Sequence, residues 1–236
     1  MSIQRALLII ADIGGYTRFM TLRRMSLAHA QGIVAHLLEA VIDASQGLKL
    51  IEVEGDAAFF YAPHSEDQEA LTAGRAAEKA VAMHRAFHTR QREIVTLNRC
   101  GCDGCAAMNN LKIKFVAHVG EVATQKVKRL SKLAGVDVIV VHRMLKNLVP
   151  VPEYLLMSEP VFRHAGERLR QRARGLRLEL EGLGKDQAYF VNLEDIAEIA
   201  PAPQITWLGR LRVTAGVVLR GIPCVLGVKK PRRLPA

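Results

Sequence analysis

With 236 residues, half of them apolar and 24% charged, the chain is long enough to bury a core and is neither repetitive nor of low complexity. A formal charge of +10 favours anionic partners: nucleotides, nucleic acid or an acidic membrane surface. No basic stripe is interleaved with aromatics, which argues against a binder of single-stranded nucleic acid.

Residues 6–11 form a continuous apolar run, the pattern of a central strand covered on both faces, and the run ends in Asp12-Ile13-Gly14-Gly15-Tyr16. It has no cleavage site and is too short for a signal peptide or a membrane span. A cytoplasmic location is therefore expected, with free thiols rather than disulfides. Ser26 is a suitable N-cap for a helix in which Ile33, Val34, Leu37, Leu38, Val41 and Ile42 recur at helical spacing, with Gly47 ending it. His29 and His36, seven apart on that helix, read as part of its polar face. Residues 48–54 and 57–62 read as a hairpin around Gly55-Asp56, stopped by Pro63.

A long helix is expected from Asp67 to about Thr96, with Leu71, Ala76, Ala77, Ala80, Val81 and Phe87 as its packing stripe. A polar loop over residues 98–110 follows and carries Cys100, Cys102 and Cys105. Residues 112–119 alternate as a strand. The apolar stretch at 136–141 runs into a helical segment at 142–148, Pro150 and Pro152 mark a turn, and residues 154–157 read as a strand. A helix and an antiparallel pair near 177–181 and 188–193 complete a domain over residues 1–196. Residues 197–236 differ in composition and form a basic, apolar tail.

Several of these segments resemble the motifs of class III adenylyl/guanylyl cyclases, in the same order. They are Ala11-Asp12-Ile13-Gly14-Gly15-Tyr16-Thr17, Glu54-Gly55-Asp56-Ala57, Val116-Ala117-His118-Val119-Gly120-Glu121-Val122, and the stretch from Leu133 through His142-Arg143-Met144. A closing pair of strands, ending in Tyr189-Phe190, matches as well. The Cys loop and residues 140–147 look closer still to a bacterial cyclase-like subgroup of uncharacterised function. The resemblance implies an α+β sandwich of the α/β type, a ferredoxin-like core with a mixed, mostly antiparallel sheet and helices. It also implies a homodimer with its site between subunits.

By that resemblance Asp12, Asp56 and the Ile13 carbonyl would hold two divalent ions, Mg²⁺ or Mn²⁺. Hard oxygen donors at adjacent strand ends suit such ions. Read singly, Asp12 is a turn cap and Asp56 a hairpin residue. Arg143 falls where the family places an arginine against the transferring phosphate, and a guanidinium fork fits phosphate oxygens. Glu52 and Lys132 fall at the base-reading positions. They suit guanine, with Glu52 accepting from the ring N–H groups and Lys132 donating to O6, or adenine in the reverse sense.

One position departs from the family. Ile139 stands where an asparagine orients the ribose, and isoleucine makes no hydrogen bond. Asp137 is the nearest polar replacement in sequence. The resemblance therefore implies one of two things: a metal-dependent nucleotidyl cyclase, a lyase of weak or specialised activity on a purine nucleoside triphosphate, or a catalytically silent nucleotide- and metal-binding regulatory module.

Two features lie outside these motifs. Cys100, Cys102 and Cys105 form either a zinc site, with His88 or His118 as a fourth ligand, or a loop of free thiols. In the tail, residues 207–228 are apolar but broken by Arg210, Arg212, Arg220 and Pro223, too interrupted for a spanning helix. They would either pack across a dimer or lie on an acidic membrane surface.

Overall fold

The apolar run at residues 6–11 is the middle of a longer strand, β1 (Ile3–Gly14), buried on both sides. Along it Leu7, Ile9, Ala11 and Ile13 enter one core cluster, while Ala6, Leu8 and Ile10 enter a second. The residues are therefore apolar without alternation because both faces are covered. The computed structural model describes residues 3–21, 27–97, 107–127 and 130–197.

In chain order β1 is followed by α1 (Tyr16–Met20), α2 (Leu27–Asp43), β2 (Lys49–Glu54), β3 (Ala57–His64), α3 (Glu69–Gly74) and α4 (Ala76–Leu97). Then come β4 (Lys112–Val127), β5 (Leu130–Ala134), α5 (Val136–Met144), β6 (Tyr154–Ser158), α6 (Glu159–Arg163), α7 (Glu167–Arg170), β7 (Arg174–Leu180) and β8 (Gly184–Asn192). The strands form one sheet in the order β2-β3-β1-β4-β6-β8-β7, with β5 paired to β4 alone. Every pairing is antiparallel except β4 with β6. This is the expected mixed, mostly antiparallel α+β sheet.

Helices α2 and α4 cover one face through Ile33, Val34, Leu37, Ala80, Met83 and Phe87. On the other face α5 presses Val141 and Met144 onto Leu8, Ile10, Val116 and Leu156. Val136 and Ile139 on α5 are exposed, and so are Leu50 and Val53 on the α2–α4 face, opposite Phe60 and Ala58.

Some expectations need correction. Pro63 does not stop β3, which continues to His64 with Pro63 opposite Ala6. The last pair between β2 and β3 is Lys49 with Tyr61, so Pro63 lies where β3 has become an edge and its missing N–H leaves no ladder bond unmade. The single helix expected over residues 67–96 is divided at Gly74–Ala76. A Cβ on Gly74 would stand 2.9 Å from the His164 carbonyl oxygen, so the chain bends where the end of α6 comes in. Leu71, before that bend, is exposed rather than packed, whereas Ala76, Ala80 and Phe87 are buried as expected. The strand expected over residues 112–119 runs on to Val127 because β5 supplies it with a partner. Ser26, the cysteine loop and the tail lie outside the described residues.

Candidate functional site

Asp12 ends the apolar part of β1 and pairs across the sheet with Ala57 on one side and Lys114 on the other. Asp56 sits in the β2–β3 turn, and its carbonyl oxygen accepts the Ile13 N–H at 3.0 Å, drawing the turn against β1. Gly55, with φ of 60°, makes that tight turn possible. The two aspartates are thus brought near each other. Ile13 is buried in the core, so only its main chain is available to a cation.

Lys114, which the sequence motifs do not single out, completes the group: its Nζ donates to Asp12 Oδ2 at 2.9 Å. Burial pushes the Asp56 carboxyl up, and the Asp12 charge adds to this, against the pull of Lys114. Burial also disfavours the Lys114 ammonium, but its bond to Asp12 and the two carboxylate charges outweigh that and hold it above the ordinary lysine value. Two carboxylates face one ammonium, so the site is short of positive charge.

Arg143 is elsewhere. Helix α5 begins on Gly120 and Glu121 and runs back along β4 until His142 meets the Phe59 ring edge-on at 5.2 Å. Arg143 then donates to Glu181 Oε2 at 2.6 Å, in the β7–β8 turn. In strand order that edge is four steps from β1. Among the described residues Arg143 is ion-paired to Glu181 rather than to Asp12 or Asp56. Beside it Ile139 and Lys146 line a shallow hollow with Val138, His142 and Glu181.

Asp137 is not available to replace the missing asparagine. Its carboxylate bonds His118 Nε2 at 2.9 Å and accepts the Glu121 N–H at 2.6 Å. The hydrogen bond from His118 is the main reason that its carboxyl lies below the usual carboxylate range, against the effect of burial. His118 is therefore structural, and Gly120 is glycine because Asp137 fills the space of a Cβ. Glu52 and Lys132 are both exposed. Glu52 pairs with Phe59 and so lies level with Val116 of β4, whereas Lys132 pairs with Gln125, nine positions further along.

A second cluster went unread in the sequence. His84 and His88, one turn apart on α4, meet Glu153 just before β6, with ligand-capable atoms all within 4.8 Å of one another. Glu153 is 1% exposed. Burial opposes its charge, but the adjacent His84 and His88 rings and the hydrogen bond from the Ile113 N–H outweigh this and hold the carboxyl far below its usual range. The spacing of two histidines four apart was a visible signal; the carboxylate, 65 positions beyond His88, was not. His88 packs on the α4 face of the sheet and His118 on the α5 face, so the two are not alternative ligands for one ion.

The fold is class III nucleotidyl cyclase-like. The adenylyl cyclase CyaB from P. aeruginosa superposes with a TM-score of 0.58 at 13% identity, over 80% of this chain and 94% of that one. The guanylate cyclase domain of RhGC from Catenaria anguillulae, solved in complex with GTP, gives 0.56 at 18% identity, over 81% and 98%. At such identities the likeness concerns the fold. The chain belongs to the family described as protein of unknown function (DUF2652), whose model matches residues 34–154. It is 43% identical over 198 residues to the uncharacterized protein Rv2561/Rv2562 of Mycobacterium tuberculosis, covering 84% of this chain and 91% of that relative. Among the described residues no helix is long and apolar enough to cross a membrane.

Proposed function

We propose that this chain is a divalent-metal-dependent nucleotidyl cyclase-like protein that binds a purine nucleoside triphosphate between the subunits of a homodimer and forms a cyclic nucleotide at a low rate. The observation that carries this reading is the Asp12–Asp56 pair, set side by side on a cyclase fold and short of positive charge. Its donors are hard oxygens, which fit Mg²⁺ or Mn²⁺. When bound, such ions favour the attacking ribose alkoxide and neutralise the phosphates. Asp12, Asp56 and the Ile13 carbonyl would hold them in the space where Lys114 now supplies a cation.

Arg143 of the partner subunit would meet the transferring phosphate. Its ion pair with Glu181 is exposed, with Glu181 at 78%, and such pairs contribute about 0–1 kcal/mol, so phosphate can displace it. Glu52 and Lys132 would read the purine in either of the two senses above.

Lys114 on Asp12 and Ile139 in place of a ribose-positioning group favour a second reading: a silent nucleotide-binding regulatory module. The deciding experiment incubates purified protein with each nucleoside triphosphate and Mn²⁺ or Mg²⁺ and assays for cyclic product. Product that is lost in Asp56→Ala supports the enzyme. Nucleotide binding without product leaves the regulatory module, and neither binding nor product refutes both. A third role, as a membrane adaptor through residues 207–236, fails if their removal leaves sedimentation with acidic liposomes unchanged.

A further inference from the structure

We infer that His84, His88 and Glu153 form a buried transition-metal site of the zinc class, separate from the aspartate pair, that ties α4 to the junction of β4 and β6. Gln91 fixes the orientation of the His88 ring. The amide Nε2 donates both protons, to the Met108 carbonyl at 2.8 Å and the Leu111 carbonyl at 2.9 Å. Its Oε1 can only accept, and His88 Nδ1 lies 3.0 Å away, so Nδ1 carries the proton. The flipped amide would set its oxygen against two carbonyls. His88 Nε2 in the neutral ring is then bare, and it faces Glu153 Oε1 at 2.8 Å. Two lone pairs at that distance need a cation or a proton between them.

His84 distinguishes the two. It is 0% exposed, and neither of its ring nitrogens has a hydrogen-bond partner. Its Nε2 is 3.6 Å from Glu153 Oε2, too far for a hydrogen bond. A proton on His88 would leave both His84 nitrogens unmet, whereas one ion would take His84 Nε2, His88 Nε2 and the carboxylate together. Ligand atoms around tetrahedral zinc lie about 3.3 Å apart, given bonds near 2.0–2.1 Å. Here each histidine lies 2.8 or 3.6 Å from a different oxygen of Glu153, and the whole set lies within 4.8 Å, so binding an ion requires only a small side-chain adjustment. Imidazole and carboxylate together suit zinc, cobalt or nickel rather than magnesium. Gln91 acts as the outer partner that fixes ring orientation. Lys112 Nζ, at 3.5 Å from Glu153 Oε2, is the competing cation, but its side chain is 35% exposed and is shared with Glu194, so it can withdraw toward solvent. Three protein ligands leave the fourth tetrahedral position to water, and the burial of His84, His88 and Glu153 keeps larger molecules from it.

The test uses the untagged full chain, metal content after gel filtration, and Co²⁺ substitution. One zinc per chain is expected, retained in Asp56→Ala, lost in His84→Gln and in Glu153→Gln, and bound about 10–100-fold more weakly in Gln91→Leu. The Co²⁺ form should show tetrahedral ligand-field bands without thiolate charge transfer. Should the variants fail to fold, that wild-type spectrum still decides. A thiolate band that disappears in Cys100→Ser would assign the ion to the cysteine loop and overturn the inference. So would a chain that retains no metal and whose melting temperature does not respond to Zn²⁺.

Discussion

Gly120→Ala adds one carbon at the most crowded point of the α5 face. Built there, it overlaps the Asp137 carboxyl carbon and stands 2.5 Å from its Cβ. Unbonded carbons settle at about 3.5–4.0 Å, so the start of α5 must retreat by about 1 Å. That movement strains the packing, at about 1–3 kcal/mol. It also loosens the bonds from Asp137 to His118 and to the Glu121 N–H, each in the class worth about 1.5–3 kcal/mol. Because one displacement breaks all of them, the losses do not add in full, and the expected cost is about 3–5 kcal/mol. Urea unfolding followed by far-UV circular dichroism measures it, with an unchanged slope showing that the denatured state is not altered. Gly32→Ala, in the middle of α2 with nothing within 4 Å of the new carbon, is the control. It should stabilise by about 0.5–1 kcal/mol. A Gly120→Ala change below about 1 kcal/mol would refute the claim that Asp137 pins α5 to β4.

Two further outcomes follow from the electrostatics. Asp56 has a raised carboxyl, so it contributes stability only at acid pH and loses it as pH rises through its folded value. Asp56→Asn should therefore raise the melting temperature at pH 7, whereas Asp12→Asn, which weakens the Lys114 bond, should lower it. Equal shifts in one direction would contradict the charge imbalance. Asp137 is depressed, so its contribution is present above the unfolded value near 3.9 and is lost as pH falls below that, through the folded one. The stability difference between wild type and Asp137→Asn should shrink below about pH 4, and a difference independent of pH would refute the bond to His118.

Those features that chemistry writes locally were legible in the sequence. Asp12 closes a two-sided apolar run and Asp56 sits behind Gly55 in a tight turn, so residue type and position agree. Arg143 and Ile139 share α5, Val136–Met144, whereas the sequence alone places a helix only over residues 142–148, because an apolar stretch such as 136–141 does not tell a buried helix from a strand. Lys114 was visible only as the polar half of an alternation, which says which face it occupies but not that Asp12 lies opposite. Glu153 follows two prolines and reads as the exposed end of a turn. Its burial depends on His84 and His88, whose approach requires the whole of α4 to be in place. Asp137 likewise seemed free for ribose, because nothing local shows that Gly120 leaves the hollow it fills.

The one parallel contact in the sheet has a wider consequence. Strands β4 and β6 register over only Phe115–Leu155, Val116–Leu156 and Ala117–Met157. On one side lies an antiparallel block drawn entirely from residues before α5, and on the other a block drawn entirely from residues after it. The molecule is thus two sequence-contiguous halves meeting along a short seam. Glu153 spans it: its carboxylate accepts the Ile113 N–H, while its carbonyl accepts the Leu193 N–H. Whatever neutralises or captures that carboxylate alters how tightly the two halves of the chain close on each other.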